Sequence, residues 1–163
     1  MLNPKILSLR LFHSQHIFLV GLMGIFWGNF SLPGKAESCI PLSVIGGKGH
    51  EVEKTVTIPA IPGFFAHNWN TDWAIPTDTK FKNYKAVVIS DSDGIFDVKM
   101  YLKYSDETSD PFYEQKNIEL TANDPLNIKI TGRRQEQPYQ VNLLVGGMKA
   151  SGYKYRASVY GCR

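Results

Sequence analysis

Between Phe96 and Tyr104 the chain alternates strictly: Phe96, Val98, Met100, Leu102 and Tyr104 fall at every second position, with Asp97, Lys99, Tyr101 and Lys103 between them. A period of two puts the two sets on opposite faces of an extended backbone, so this segment reads as a half-buried β-strand. On a helix the same residues would be scattered around the whole cylinder and would bury nothing cleanly. The rhythm recurs. Val52, Val56 and Ile58 stand against Glu51, Glu53, Thr55 and Thr57, and Leu126, Ile128 and Ile130 against Asn127, Lys129 and Thr131. Further runs are Tyr139, Val141, Leu143 and Val145, then Tyr153, Tyr155, Ala157 and Val159, with shorter candidates at 40–45, 85–90 and 117–120. No window carries a sustained apolar stripe of helical period.

Turn chemistry separates the runs. Asp93-Gly94 and Gly146-Gly147 each lie between two of them and read as hairpin turns, while Gly46-Gly47-Lys48-Gly49 closes the first. Short strands at roughly ten-residue spacing predict an antiparallel β-sandwich of about eight strands, jelly-roll or immunoglobulin-like. One stretch, residues 59–76, is interrupted by prolines and reads as a long connection with one short strand near Trp73.

The first thirty-six residues have a different character. Lys5, Arg10, His13 and His16 precede an apolar stretch over residues 17–30, and no acid occurs before Glu37. This is the layout of a secretory signal peptide, with small residues at Gly34 and Ala36 for a cut before Glu37. About fourteen residues, diluted by Gly21, Gly24 and Gly28, fall short of the roughly twenty that a membrane-spanning helix needs. Glu37 and Ala36 before Cys39 do not suit a lipoprotein signal. The expectation is an exported protein, secreted or periplasmic, with residues 37–163 forming one domain.

Cleavage changes the electrostatics. Without Lys5, Arg10 and Lys35 the 18 basic residues fall to 15, which balance the 15 acids. A neutral chain offers no excess of Lys and Arg for phosphates, so nucleic-acid binding is not expected. Arg133-Arg134, the one adjacent basic pair of the mature chain, reads as a solvated turn tip. Cys39 and Cys162 lie near the two ends of the mature chain, and an oxidising compartment pairs them as a disulfide.

Candidate sites are few. Phe64, Phe65, His67, Trp69, Asp72 and Trp73 combine flat rings with polar groups, which is the chemistry of a sugar or peptide platform, although rings of this size also serve to plug the end of a sandwich. Asp91, Asp93 and Asp97 around Gly94 suggest a calcium loop, but Asp97 belongs to a strand pattern and the loop lacks a bidentate Glu, so a plain turn is expected and no metal site. Gly46, Gly47 and Gly49 with Lys48 lack the spacing of a phosphate-binding loop, and no cofactor motif is present. His50 and His67 stand in no hydrolase motif. Asp72 with His67 is the one conceivable acid–base pair, so no enzyme is expected.

Asp72-Trp73 with Ile75-Pro76, then Gly94, the run from Asp97 through Val98, Lys99, Met100 and Tyr101 to Leu102, and Gly152-Tyr153 together form a pattern. It resembles the bacterial pre-peptidase C-terminal domain, a small secreted β-sandwich, over about ninety residues. Lys99 departs from it, standing where that family commonly has an acid. The resemblance implies a sandwich and a non-catalytic, adhesive role. The expected function is therefore a binding module of the cell envelope, with a surface polysaccharide or another envelope protein as partner. The alternatives are a purely structural domain and a small hydrolase using His67 and Asp72.

Overall fold

The computed structural model describes residues 37–57 and 68–163. Ten strands follow in order: β1 (Cys39–Pro41), β2 (Ser43–Val44), β3 (Glu51–Thr55), β4 (Asn70–Ala74), β5 (Asn83–Ser90), β6 (Gly94–Lys103), β7 (Ser109–Leu120), β8 (Leu126–Thr131), β9 (Gln140–Gly146) and β10 (Lys154–Cys162). A single 3-10 turn, Met148–Ala150, interrupts the β9–β10 connection. Every strand pair is antiparallel, and the pairing is nested: β6 with β7, β5 with β8, β4 with β9, β3 with β10. The chain thus doubles back at the β6–β7 turn into one long antiparallel ribbon. Further pairing of β10 with β5 and of β9 with β6 rolls that ribbon into two sheets, which is the jelly roll.

One sheet runs β1-β10-β5-β8, with β3 also on β10, and the other runs β2-β4-β9-β6-β7. β1 and β3 lie end to end on the same side of β10, β1 against Tyr160–Cys162 and β3 against residues 154–158. The sandwich predicted from alternation is therefore present, with an eight-stranded core and two short strands added. The run at 40–45 divides in two because Leu42 is buried: its N–H bonds Val159 O at 2.8 Å, and the chain passes there from one sheet to the other.

The core lies between the sheets and follows the alternation closely. Phe96, Val98, Met100 and Leu102 of β6 are fully buried with Tyr104 just beyond it, and they meet Trp73, Tyr84, Ala86, Val88, Val141, Leu143, Tyr155, Ala157 and Val159. Burying a side chain of this size is worth about 1.5–3 kcal/mol, so these rows supply the main driving force for stacking the sheets. Among the described residues no helix is long and apolar enough to cross a membrane.

Three expectations need correction. Asp93-Gly94 and Gly146-Gly147 do not close hairpins: β5 and β6, like β9 and β10, lie in opposite sheets, and these turns carry the chain across the sandwich. A dipeptide reports that the chain turns but not where the next strand pairs, and among the described strands only β6 and β7 are consecutive partners. The strand foreseen at 117–120 begins at Ser109. Its alternation is broken by register shifts opposite Phe96–Val98 and Met100–Tyr101, and as an edge strand it tolerates Pro111. Asp97 serves that irregularity, its Oδ1 accepting the N–H of Asn117, a residue at φ 53.

Arg133 is no solvated tip. Its Nε and Nη2 donate to both oxygens of Asp110 at 2.8 Å, and Nη1 reaches Asp106 and Glu136 at 3.2 Å. Its guanidinium lies 3.9 Å above the Tyr104 ring, and its backbone N–H donates to the Tyr104 hydroxyl at 3.1 Å. The residue ties the β6–β7 turn to the β8–β9 connection with the bidentate geometry that Lys cannot supply. Arg134 alone fits the sequence expectation.

Cys39 and Cys162 are direct partners across β1 and β10, and a disulfide joins them over 123 residues. In the chain-entropy account a closure this long is worth on the order of 4–5 kcal/mol before any native strain is subtracted. Opening it, by reduction or by Cys39→Ser with Cys162→Ser, is expected to lower unfolding free energy by about 2–5 kcal/mol in urea titrations. An unchanged midpoint would mean that the bond does not restrain the unfolded chain. A second prediction concerns hydroxyls. That of Tyr84 is buried without a hydrogen bond, and burial pushes its phenol well above the usual tyrosine range, as it does that of Tyr155, whose hydroxyl faces Thr71. Tyr84→Phe should be neutral or raise Tm, whereas Tyr104→Phe, which orphans the Arg133 N–H, should cost about 0.5–1.5 kcal/mol; the opposite order would refute the assignment.

Candidate functional site

Of the six aromatic and polar residues singled out between 64 and 73, Phe64, Phe65 and His67 lie outside the described residues. The flanks of that segment are tied together. Asn68 accepts the N–H and hydroxyl of Thr57 at 3.2 and 3.0 Å and donates to Thr55 O at 2.8 Å. Lys54, on β3, extends Nζ to the carbonyls of Asn68 and Asn70 at 3.1 and 2.8 Å, joining the two sheets along their edge. Desolvation there pulls the Lys54 ammonium below the usual lysine range.

Trp69 is half-buried at this edge, with Nε1 donating to Thr57 O at 2.8 Å. Its ring occupies the space that a side chain at residue 146 would need: a Cβ on Gly146 would come within 2.3 Å of it. The glycine is thus required by the tryptophan.

Trp73 is withdrawn from the platform. It is 0% exposed, between the sheets, and its Nε1 donates to His50 O at 3.1 Å. The cause is parity: on β4 Thr71 and Trp73 point inward, while Asn70, Asp72 and Ala74 point out. Asp72 and Trp73 are therefore separated by the sheet itself.

Asp72 opens onto the outer face of the second sheet. Register places it opposite Asn142 of β9, which lies opposite Tyr101 of β6, so the three form one row across adjacent strands. The neighbouring rows are Asn70, Leu144, Lys99 and Ala74, Gln140, Lys103. Asp72 Oδ1 accepts from Asn142 Nδ2 at 2.8 Å and from Lys103 Nζ at 3.3 Å, while Lys99 pairs with Glu114 at 2.6 Å. Hydrogen bonding to Glu114 holds the Lys99 ammonium above its usual range. Among the described residues the Tyr101 hydroxyl, Asp72 Oδ2 and Asn142 Oδ1 have no partner. The face thus carries the half-buried Tyr101 ring beside the Asp72 carboxylate, with Asn142 largely buried between them at 8% exposure.

Of the residues on this face the sequence reading singles out Asp72 and does not name Tyr101, Asn142 or Lys103. The signal was present, because all three are outward positions of runs whose alternation was already legible, and Tyr101 is an aromatic on a polar face. Only the cross-strand register was lacking. Asp91, Asp93 and Asp97 do not converge: Asp93 caps the Ala122 N–H at 2.8 Å and Asp97 caps Asn117. The sole grouping of three metal-ligand types among the described residues is Glu37 with Cys39 and Cys162, and the disulfide takes both sulfurs. His50 is exposed, with Nδ1 3.1 Å from Leu42 O.

No family model matches this chain, and no curated protein matches it in sequence. Among solved structures the chain is similar to carbohydrate-binding modules of family 29, at 6% identity. One such module is matched over 77% of this chain and 88% of its own with a TM-score of 0.40. A variant in complex with mannohexaose is matched over 77% and 92% at 0.41, and a variant complexed with cellulohexaose over 77% and 91% at 0.39.

Proposed function

We propose that this protein is an exported, non-catalytic binding module that holds a polysaccharide of the cell surface against the outer face of the β2-β4-β9-β6-β7 sheet. The observation that carries the reading is the row Asp72, Asn142 and Tyr101, in which the half-buried Tyr101 ring lies beside Oδ2 of Asp72, a carboxylate whose other oxygen is held by Lys103 and by the largely buried Asn142. A pyranose presents an apolar C–H face and a rim of hydroxyls, and such a row meets both without rearrangement. Preorganised groups lose little entropy on binding, which favours a sheet face over a mobile loop. Trp69 adjoins this face at the β4 edge, and Phe64, Phe65 and His67 precede it in sequence as further contact candidates.

Other features agree. A disulfide between residues 39 and 162 suits an oxidising compartment, whether periplasmic or extracellular, and the charged front end reads as its export signal. Gly94 and Tyr153, two residues on which the resemblance to the pre-peptidase C-terminal domain rests, lie against each other, with the Tyr153 ring 2.7 Å from where a Gly94 Cβ would stand. Asp72 is engaged with Lys103 and Asn142, an arrangement that suits a fixed acceptor better than a base.

The test is titration of the protein with a panel of soluble glycans and cell-wall material, read by tryptophan fluorescence and by calorimetry. Binding with quenching is expected. Tyr101→Ala should weaken it by about 1.4 kcal/mol, or tenfold, and Trp69→Ala should abolish the fluorescence change. Absence of binding across the panel, or binding indifferent to Tyr101→Ala and Asp72→Ala, would sink the proposal.

A further inference from the structure

At one end of the other sheet three neighbouring strands finish level. Asn83 opens β5, and its partners are Thr131 near the close of β8 and Cys162 at the close of β10. The residues just beyond these ends are therefore forced together: Lys80, Phe81 and Lys82 before β5, Arg134 after β8, and Arg163 after β10. Backbone bonds hold the arrangement, with Lys82 N–H on Cys162 O at 2.8 Å and Arg163 N–H on Ser38 O at 3.0 Å. Between them opens a cleft of about 770 Å³. That volume lies within the roughly 300–1,000 Å³ typical of clefts that take small ligands.

The charge of this cleft is one-sided. Lys80, Lys82, Arg134 and Arg163 are exposed, and among the described residues none of the four has an ion pair or a side-chain hydrogen bond. The one acidic side chain in the wall, Glu37, is already engaged by Lys129 at 2.7 Å and by Asn83, and these bonds hold its carboxyl below the usual range. Asp106, Asp110 and Glu136 gather instead on Arg133, toward the β6–β7 turn. The side chains of residues 37–163 sum to zero formal charge, so four cationic side chains without ion pairs in one concavity make its lining side chains net positive.

Phe81 gives the cleft an apolar wall. Its half-buried ring packs on the β10 backbone where Gly161 leaves room, a Cβ there falling 2.7 Å from the ring, and its edge meets Tyr84 at 6.1 Å between centroids. The ring is thus held in place and turns part of its surface to the cleft. We infer that this cleft binds an acidic sugar unit of a polysaccharide, its carboxylate or sulfate held by Lys82 and Arg134 and its C–H face set against Phe81. Cations set around a ring match a sugar that is both anionic and apolar on one face, and arginine forks suit planar carboxylates and sulfates. The site is separate from the outer face carrying Asp72 and Tyr101 and does not depend on binding there.

Calorimetric titration of the disulfide-closed protein with oligogalacturonate, a sulfated oligosaccharide, a neutral cello-oligosaccharide and inorganic sulfate tests the inference. At least one of the two acidic oligosaccharides should bind, weakening as salt rises, and the two arms tell carboxylate from sulfate. Lys82→Glu with Arg134→Glu should weaken that binding about tenfold or more, and Phe81→Leu should weaken it at unchanged salt dependence, while Tyr101→Ala should leave it intact. Sensitivity to Tyr101→Ala but not to the cleft variants would place the anion on the outer face and overturn the inference. So would failure of both acidic sugars, or inorganic sulfate binding as tightly as the sulfated oligosaccharide.

Discussion

Strand β10 has β1 and β3 along one side and β5 along the other, and its inward residues Tyr155, Ala157 and Val159 are buried in the core. Because β3 and β10 are the outermost pair of the nested ribbon, the roll closes only when residues 51–55 find residues 154–158. That is a costly, long-range closure, and the disulfide at Cys162 lies one strand-length away on the same strand. The bond therefore acts where the topology is most expensive in entropy. Everything nearer the middle of the chain, down to the β6–β7 turn, is closed by shorter loops.

The consequence of this closure is that each sheet is fixed in register, and register decides what the outer faces present. Shifting β4 by one residue would bring Trp73 to solvent and take Asp72 into the core, losing a fully buried indole and burying a carboxylate. The Asp72–Asn142–Tyr101 row thus exists because Trp73 is pinned inside, held by packing and by its bond to His50 O. Core and site are two faces of one strand, and the hydrophobic term sets the geometry of the polar one.

Much of this was legible beforehand. The buried rows of β5, β6, β9 and β10 could be read residue by residue because burial on one face forces alternation. The disulfide could be read because two cysteines so placed have few other uses. What was hidden is what depends on partners distant in sequence. Asp93-Gly94 and Gly146-Gly147 look like hairpin turns because their local chemistry is the same whether the next strand pairs or crosses over. Arg133 looked solvated because its partners, Asp106 and Asp110, lie more than twenty residues away. Trp73 looked like a platform because aromatic composition says nothing about parity until a strand start is known. Tyr101, whose outward position was plain, was overlooked because its neighbours Asn142 and Asp72 meet it only through register.

The central claim is that a sheet face defined by register meets the polysaccharide. The most direct measurement is a map of backbone amide chemical shifts as a neutral soluble oligosaccharide that binds the protein is added. The account predicts perturbations concentrated at Asn70, Asp72, Tyr101, Asn142 and Leu144, with the outer face of the opposite sheet, at Val87, Ile89 and Arg156, unmoved. Shifts centred on those latter residues, with the Asp72 row silent, would contradict it.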